Sequence, residues 1–489
     1  NSTIDGAFEY FSKKRPKNVA PTYPRFISQR NDVILKNLGN DIEYHGGFSL
    51  FANKMYSSSV NDRYATITIK YGGKVAFRLR SRRFELGDSL ITSPQATFSA
   101  YFGGDSLYHP GVKVSYSRKL AFLRTGKVEK GGFRDTPYAD GFHKMEIYAD
   151  VMHWNLPSGK LEFYIISGKS VVPALFESFD YFNAERYTAL SGQFPFHPMQ
   201  LLNNYFRTKS TTIATLGDLS GFSGRPYGVV REAMLSMLQQ GMVDFDEQNE
   251  TVRFSRKGKH YLEAYNKRKD YDTFLIPSFY GGSSKDSTGN ASINLKDNIL
   301  TIRGVKQFQL SDSLGVYLNP RDHEIRMGKD RDFSMTGEFK TGNFRFRGQQ
   351  FAFSYKDFLM NMNKIDSITF IPQKVLAKGG KTEIGGDLRY SSGKIYINRT
   401  DNKSGRMRSN DYPRLVIPEG VTVYFDQADR GLAYDRKQVY FKIPSIDYDS
   451  LNVKDIDFAG TFHSGGIFPV FQTTLITMPD NSLGFSHKP

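Results

Sequence analysis

The sequence predicts a mainly β protein interrupted by one small helical block. Three observations lead there. Phe and Tyr supply nearly all of the 14% aromatic residues, beside a single tryptophan and 44 glycines, which suits short strands joined by tight turns. Short segments of alternating polarity recur along most of the chain, parted by Gly, Asp, Ser or Pro. Sustained helical spacing is confined to the stretch from Phe196 to Tyr271.

In chain order, residues 1 to about 60 hold a Pro-containing leading segment (KKRPKNVAPTYPRF) and then a first pair of strands in NDVILKNLGNDIEYHGGFSLF. From Tyr64 the strands follow closely as ATITIKY, KVAFRLR, ATFSAYF, VKVSYS, KLAFLR and KLEFYIIS. The helical stretch opens with HPMQLLNNYFR and continues with TTIATLGDLSGF, where Gly221 and Gly224 are stop signals. Pro226 suits the start of the next helix, in which Val230, Met234, Met237, Leu238 and Met242 share one face. VDFDEQNETVRFS then forms a hairpin around Gln248 and Asn249, and KGKHYLEAYNKRK returns to helical spacing through Tyr261, Leu262 and Tyr265. Helices, hairpin and helix in that order resemble a winged-helix module.

The run Gly281 to Asn290 reads as a linker. Strands resume after it, from INLKD and ILTIRGV through DFSMTGEFK, NFRFRG and FAFSYKDF to VTVYFD, QVYFKI and DIDFAGTFH. The expected domains are an N-terminal β-rich domain over 1–193, the winged-helix-like block over 194–275 and a C-terminal β-rich domain over 276–489. Isolated glycines at Gly337, Gly342, Gly348 and Gly393 read as repeated tight corners. They favour an irregular β-solenoid, with β-sandwich domains as the alternative.

The formal net charge is +16, but Lys and Arg are spread along the chain, so the charge argues for solubility and weak attraction to anionic surfaces. The absence of cysteine excludes disulfides, thiolate metal sites, Fe–S clusters and cysteine nucleophiles. No apolar run approaches the roughly 20 residues of a membrane-spanning helix. The first residue is Asn1, and the expectation is a segment of a larger polypeptide.

HKMEIYADVMHW would place His143, Glu146, Asp150 and His153 on one face of a helix, as a divalent-metal site needs. On a strand, His143, Met145, Ile147, Ala149, Val151 and His153 form one face instead. The flanking strands favour the second reading, so no metal ligand is assigned. His109 and His463 sit beside glycines and read as loop histidines with no assignable Ser or Asp partner. YGGK, FGGD, KGGKTEIGGD and HSGGIF lack the phosphate-loop pattern and read as turns. Carboxylates at Asp426, Asp429, Asp447, Asp449, Asp455 and Asp457 read as solvated turns. Arg253, Arg256, Lys257 and Lys259 are the candidate anion-binding set, beside enough Asp and Glu nearly to cancel them, so nucleic acid ranks last among partners. No catalytic residue and no cofactor is expected.

Asp-Ser-aliphatic triplets recur with central serines Ser89, Ser106, Ser313, Ser367 and Ser450. They resemble the O-glycosylation signal of exported Bacteroidota proteins. The plainer reading is turn chemistry, with the aliphatic residue opening the next strand. GGDSLYHPGVKVSY, DTPYADGFHKMEIYADVMHW, GGDLRYSSGKIYINRTDNKSG and GTFHSGGIFPVFQTTLITMPDNSLGF resemble the large exported β-rich cell-envelope proteins of Bacteroidota. The resemblance implies an extracytoplasmic chain, in periplasm or at the cell surface. Its expected role is a non-catalytic structural or protein-binding element with envelope or outer-membrane-associated partners. A carbohydrate-active β-helix enzyme or a glycan-binding protein is the alternative.

Overall fold

Ile67, Ile69, Phe77 and Leu79 alternate with Thr66, Thr68, Arg78 and Arg80, and the chain uses that period directly. Ala65–Tyr71 and Lys74–Ser81 pair antiparallel with the apolar set buried. Gly72 and Gly73, at φ 58° and 76°, make the two-residue turn between them, and Gly103 and Gly104, at 59° and 81°, join Leu90–Phe102 to Asp105–Ser117 in the same way.

The computed structural model describes residues 4–10, 24–35, 38–39, 41–58, 63–128, 132–166, 172–280, 288–370, 384–425, 435, 437–449, 451, 457–479 and 483–487, with backbone alone at 370 and 384–391. The protein is mainly β, with large antiparallel sheets. It forms two units: residues 1–269 with 280–300, and residues 270–279 with 301–489. The helical block therefore shares a unit with the N-terminal strands.

In the first unit the pairing runs from Ile42–Gly46 through the two hairpins to Phe122–Gly126, Val151–Asn155, Lys160–Tyr164 and Ala291–Asn294. Asp105–Ser117 also serves a second branch, in which Leu107 and Tyr108 pair with Tyr138–Asp140, followed by Met145–Tyr148 and Ala174–Ser178. The chain passes from one branch to the other between Tyr148 and Val151. The alternation expected through HKMEIYADVMHW breaks there, and Val151 and Met152 are both buried.

The first unit also carries α1 (Ala184–Gln193), α2 (Pro198–Lys209), α3 (Leu216–Ser223), α4 (Tyr227–Gln239) and α5 (Arg256–Tyr265). The first of these lies outside the stretch in which helix was expected. It is short, and its start signal is local: the Asn183 side chain accepts from the Arg186 N–H at 2.7 Å, while Tyr187 and Leu190 are buried. Thr215 and Ser255 cap α3 and α5 likewise. Val230, Met234, Met237 and Leu238 of α4 are buried, as their spacing predicts. Val243–Asp246 and Thr251–Phe254 form the expected hairpin, joined by Ala214–Thr215 into a three-stranded sheet.

In the second unit Val316–Pro320, Phe333–Thr341, Phe344–Ser354, Leu359–Phe370, Ile384–Tyr396, Arg414–Ile417 and Ile446–Tyr448 pair in succession. Phe274, Phe308, Phe333 and Phe353 pack together, with Phe333 and Phe353 stacked at 4.8 Å. A separate five-stranded sheet holds Val421–Tyr424, Val439–Ile443, Asp457–Ser464, Phe471–Thr477 and Leu483–Gly484.

The structure does not confirm the solenoid expectation. Solenoid coils stack as parallel rungs, whereas each registered pairing among the described strands is antiparallel. Three of the four glycines read as corners lie within strands instead. Gly337 and Gly348 are not corners but partners across two long strands, at breaks in register, and Gly393 lies within a third. Gly342 alone of the four makes a turn, at φ 54°. Among the described residues no helix is long and apolar enough to cross a membrane.

Candidate functional site

The most concentrated set of buried ionisable groups lies where α1 and α5 meet the second branch of the first unit. Met145–Tyr148 and Ala174–Ser178 pair so that Glu146 stands directly opposite Glu177, and both are almost fully buried. Two like charges in that position repel, so something must answer them. Lys257 does. The second residue of α5, it is 2% exposed, and its Nζ donates to Glu146 Oε2, to the Gln240 carbonyl at 2.9 Å and to the Tyr148 hydroxyl at 3.3 Å, and is ion-paired with Glu177. Arg186 of α1 closes the set on the other side, 2.8 Å from Glu177 Oε2. The Tyr148 hydroxyl donates to Glu146 at 3.0 Å.

Two carboxylates thus face two cations in a place without water's dielectric. Burial pushes Glu146 up from the usual carboxylate range, with Lys257 pulling it back. Burial alone would lower Lys257, but the two carboxylates outweigh it and hold the amine protonated well above its ordinary range. Arg186 is raised by the same balance, with Glu177 prevailing over burial. A lysine so held is a fixed cation, unsuited to act as an amine nucleophile or base. Gly241 makes the approach of α4's end to Glu146 possible. Its φ is 70°, and a Cβ there would fall 2.0 Å from Glu146 Oε1.

A largely apolar cavity of about 170 Å³ reaches Glu146 and Lys257 past Phe179 and Leu238, and a second, of about 340 Å³, reaches Tyr148, Glu177 and Arg186. What the arrangement does chemically is fix α1 and α5 to the strands beneath them. No family model, curated protein or solved structure matches the chain.

The anion-binding candidates do not come together. Lys257 is a correction: it is buried within the unit, held by Glu146 and Glu177 from strands distant in sequence. Arg253 is exposed and paired with Asp244 at 3.0 Å, Arg256 is exposed with its guanidinium 5.9 Å from the Phe179 ring, and Lys259 is exposed.

The four residues of the metal pattern also part. His143 is fully buried, with Nδ1 2.6 Å from Asp140 Oδ2 and Nε2 2.9 Å from the Asn298 carbonyl, so both ring nitrogens are engaged. His153 packs between Phe122 and Tyr164. Among the described residues no group of three or more His, Asp or Glu could hold a metal ion.

His109 is not in a loop but buried within a strand. It sits 3.0 Å from the Thr136 carbonyl, and Gly111 N–H donates to its Nδ1. Burial pushes it down to about 3. His463 stacks on Tyr440 at 4.4 Å. Asp447 pairs with Arg414, while Asp426, Asp429 and Asp455 lie outside the described residues.

Of the triplet serines, Ser89 and Ser313 are exposed at turns, and Ser313 Oγ donates to the Ser404 carbonyl at 2.8 Å. Ser106 is half-buried just after the Gly103–Gly104 turn. Ser367 lies inside a strand paired on both sides, so turn chemistry does not account for it. Ser450 lies outside the described residues.

Proposed function

We propose that the protein is an exported, non-catalytic element of the bacterial cell envelope that holds partner proteins. One observation carries the reading. In the five-stranded sheet of the second unit, the loop from Gly465 to Val470 presents Ile467, Phe468 and Val470 with 67%, 61% and 57% of their surface exposed. Apolar side chains grouped this way at the tip of a hairpin are a signature of a protein contact. Envelope or outer-membrane-associated proteins are the partners it implies.

The rest of the molecule is consistent with a holding role. Its strongest buried charges are directed at one another. The helical block, read as winged-helix-like, turns its hairpin tip toward the N-terminal strands, with Glu247 beside Tyr64 and Gln95. That orientation supports a packing role for the block over nucleic-acid binding. Antiparallel registers support sandwich-type sheets over solenoid coils. Export is supported by the exposed serines Ser89 and Ser313 in their triplets.

The test is recovery of the full-length native protein from envelope fractions, beside a variant carrying Ile467→Asn and Phe468→Asn. A set of co-purifying envelope proteins lost in the variant is the expected result. The same set from both proteins, or none from either, sinks the reading. Mass spectrometry of the same native material expects glycan on Ser89 or Ser313, and bare serines would remove the support for export.

A further inference from the structure

Lys74–Ser81 and the residues that follow it place Arg78, Arg80 and Arg82 at every second position, with Arg83 next to them. Strand period gathers Arg78 and Arg80 on one face, and Arg82, just past the strand's end, shares the Tyr64 ring with Arg80, although the basic residues look scattered in the sequence. All four are exposed, and each guanidinium lies against a tyrosine: Arg78 at 5.6 Å from the Tyr101 ring, Arg80 and Arg82 at 4.8 and 5.5 Å from Tyr64, and Arg83 at 5.0 Å from Tyr56. A guanidinium resting on a ring still directs its N–H edge outward, where a carboxylate or amide oxygen can accept from it.

Hydroxyls flank the arginines in register. Thr66 and Thr97 stand opposite Arg80 on the two neighbouring strands, and Thr68 and Ser99 stand opposite Arg78. Arg80, Arg82 and Arg83 also line a cleft of about 400 Å³ with Tyr64 and Gln95. The chain's own Glu247 already places a carboxylate there, 3.2 Å from the Tyr64 hydroxyl and 3.0 Å from Gln95 Nε2. Arg80 reaches Gln248 Oε1 at 2.8 Å and Arg82 the Glu247 carbonyl at 3.4 Å.

We infer that this face binds a carboxylate-bearing polysaccharide. Residues two apart repeat about every 6.4–6.8 Å along a strand, so Arg78 and Arg80, continued by Arg82 and Arg83, form a row suited to a chain of regularly spaced carboxylates. The threonine and serine rows on either side match sugar hydroxyls. A single-stranded nucleic acid is the poorer fit, because such binders stack bases on aromatic faces and here a face of each tyrosine is taken by arginine. The inference goes beyond the partner-holding reading, which rests on the second unit.

The experiment is binding of the full chain to polygalacturonate at low and raised salt, with neutral dextran and a single-stranded DNA oligonucleotide beside it. Polygalacturonate should bind and weaken with salt, while dextran should not bind. A variant with Arg78→Gln, Arg80→Gln and Arg83→Gln should lose about tenfold or more in affinity. Arg78→Gln alone touches only the Tyr101 contact and should lose about threefold; it decides the matter if the triple variant does not fold. No binding to polygalacturonate at low salt, equal binding of dextran, tighter binding of the DNA, or unchanged affinity in the folded variants would overturn the inference.

Discussion

Glu146 and Glu177 face each other across two antiparallel strands, and the amine of Lys257 lies within reach of both. The strand pair is therefore electrostatically incomplete until α5 docks, which ties the helical block to the sheet at a residue level. Replacing Lys257 by Met leaves two buried carboxylates opposed. The expected cost is about 3–5 kcal/mol in urea unfolding. A loss below about 1 kcal/mol would mean that the lysine does not bind the block to the strands.

The same lysine sets an alkaline limit. Its pKa in the folded protein is raised above the ordinary 10.5, so its contribution to stability is complete below pH 10.5 and disappears as the pH rises through the folded value. Thermal unfolding followed across that range should fall more steeply for the wild type than for Lys257→Met. Parallel curves would contradict it.

His109 sets an acid limit of opposite sense. Burial lowers it from 6.5 to about 3, so the unfolded chain takes up a proton that the folded one refuses between those values. Stability due to this group is intact above pH 6.5 and falls with acidification by up to about 1.4 kcal/mol per pH unit. His109→Gln, which cannot titrate, should flatten the slope of urea stability against pH in that window, whatever its own cost at neutrality.

Gly348 is held by close approach rather than by a turn. A Cβ at Gly348 would fall 2.1 Å from the Lys364 carbonyl oxygen, a backbone atom that cannot step aside alone. Gly348→Ala should cost about 2–3 kcal/mol, read as a drop in Tm. Gly72→Ala, at a turn with open space around it but φ 58°, should cost only about 1–2 kcal/mol. A reversed order of the two would remove the close-packing account of the paired glycines.

Much of the strand pattern was legible in the sequence. ATITIKY and NFRFRG alternate strictly and KVAFRLR does so from Phe77 onward, and period two is enough to place Ile67, Phe77 and Phe346 inside. Helix α4 was legible for the same reason, through its four-residue recurrence of Val230, Met234 and Leu238. Helix α1 was not, because its Asn183 cap and two buried residues are too little signal in ten residues. The glycines were misread because a glycine at a corner and a glycine beneath a crossing carbonyl look alike in one dimension.

The candidate site was less legible still. Alternation left Glu146 off the apolar strand face and Lys257 was grouped with the candidate anion-binding cations, and both assignments follow from the sequence immediately around each residue. Side-chain period and turn chemistry are local properties, so the sequence by itself determined the β class, the hairpin turns and the helical block. Which strands are neighbours is a long-range property. The tertiary structure decided that Glu146, Glu177, Arg186 and Lys257 meet, because a buried charge is tolerated only where an opposite charge arrives from elsewhere in the chain.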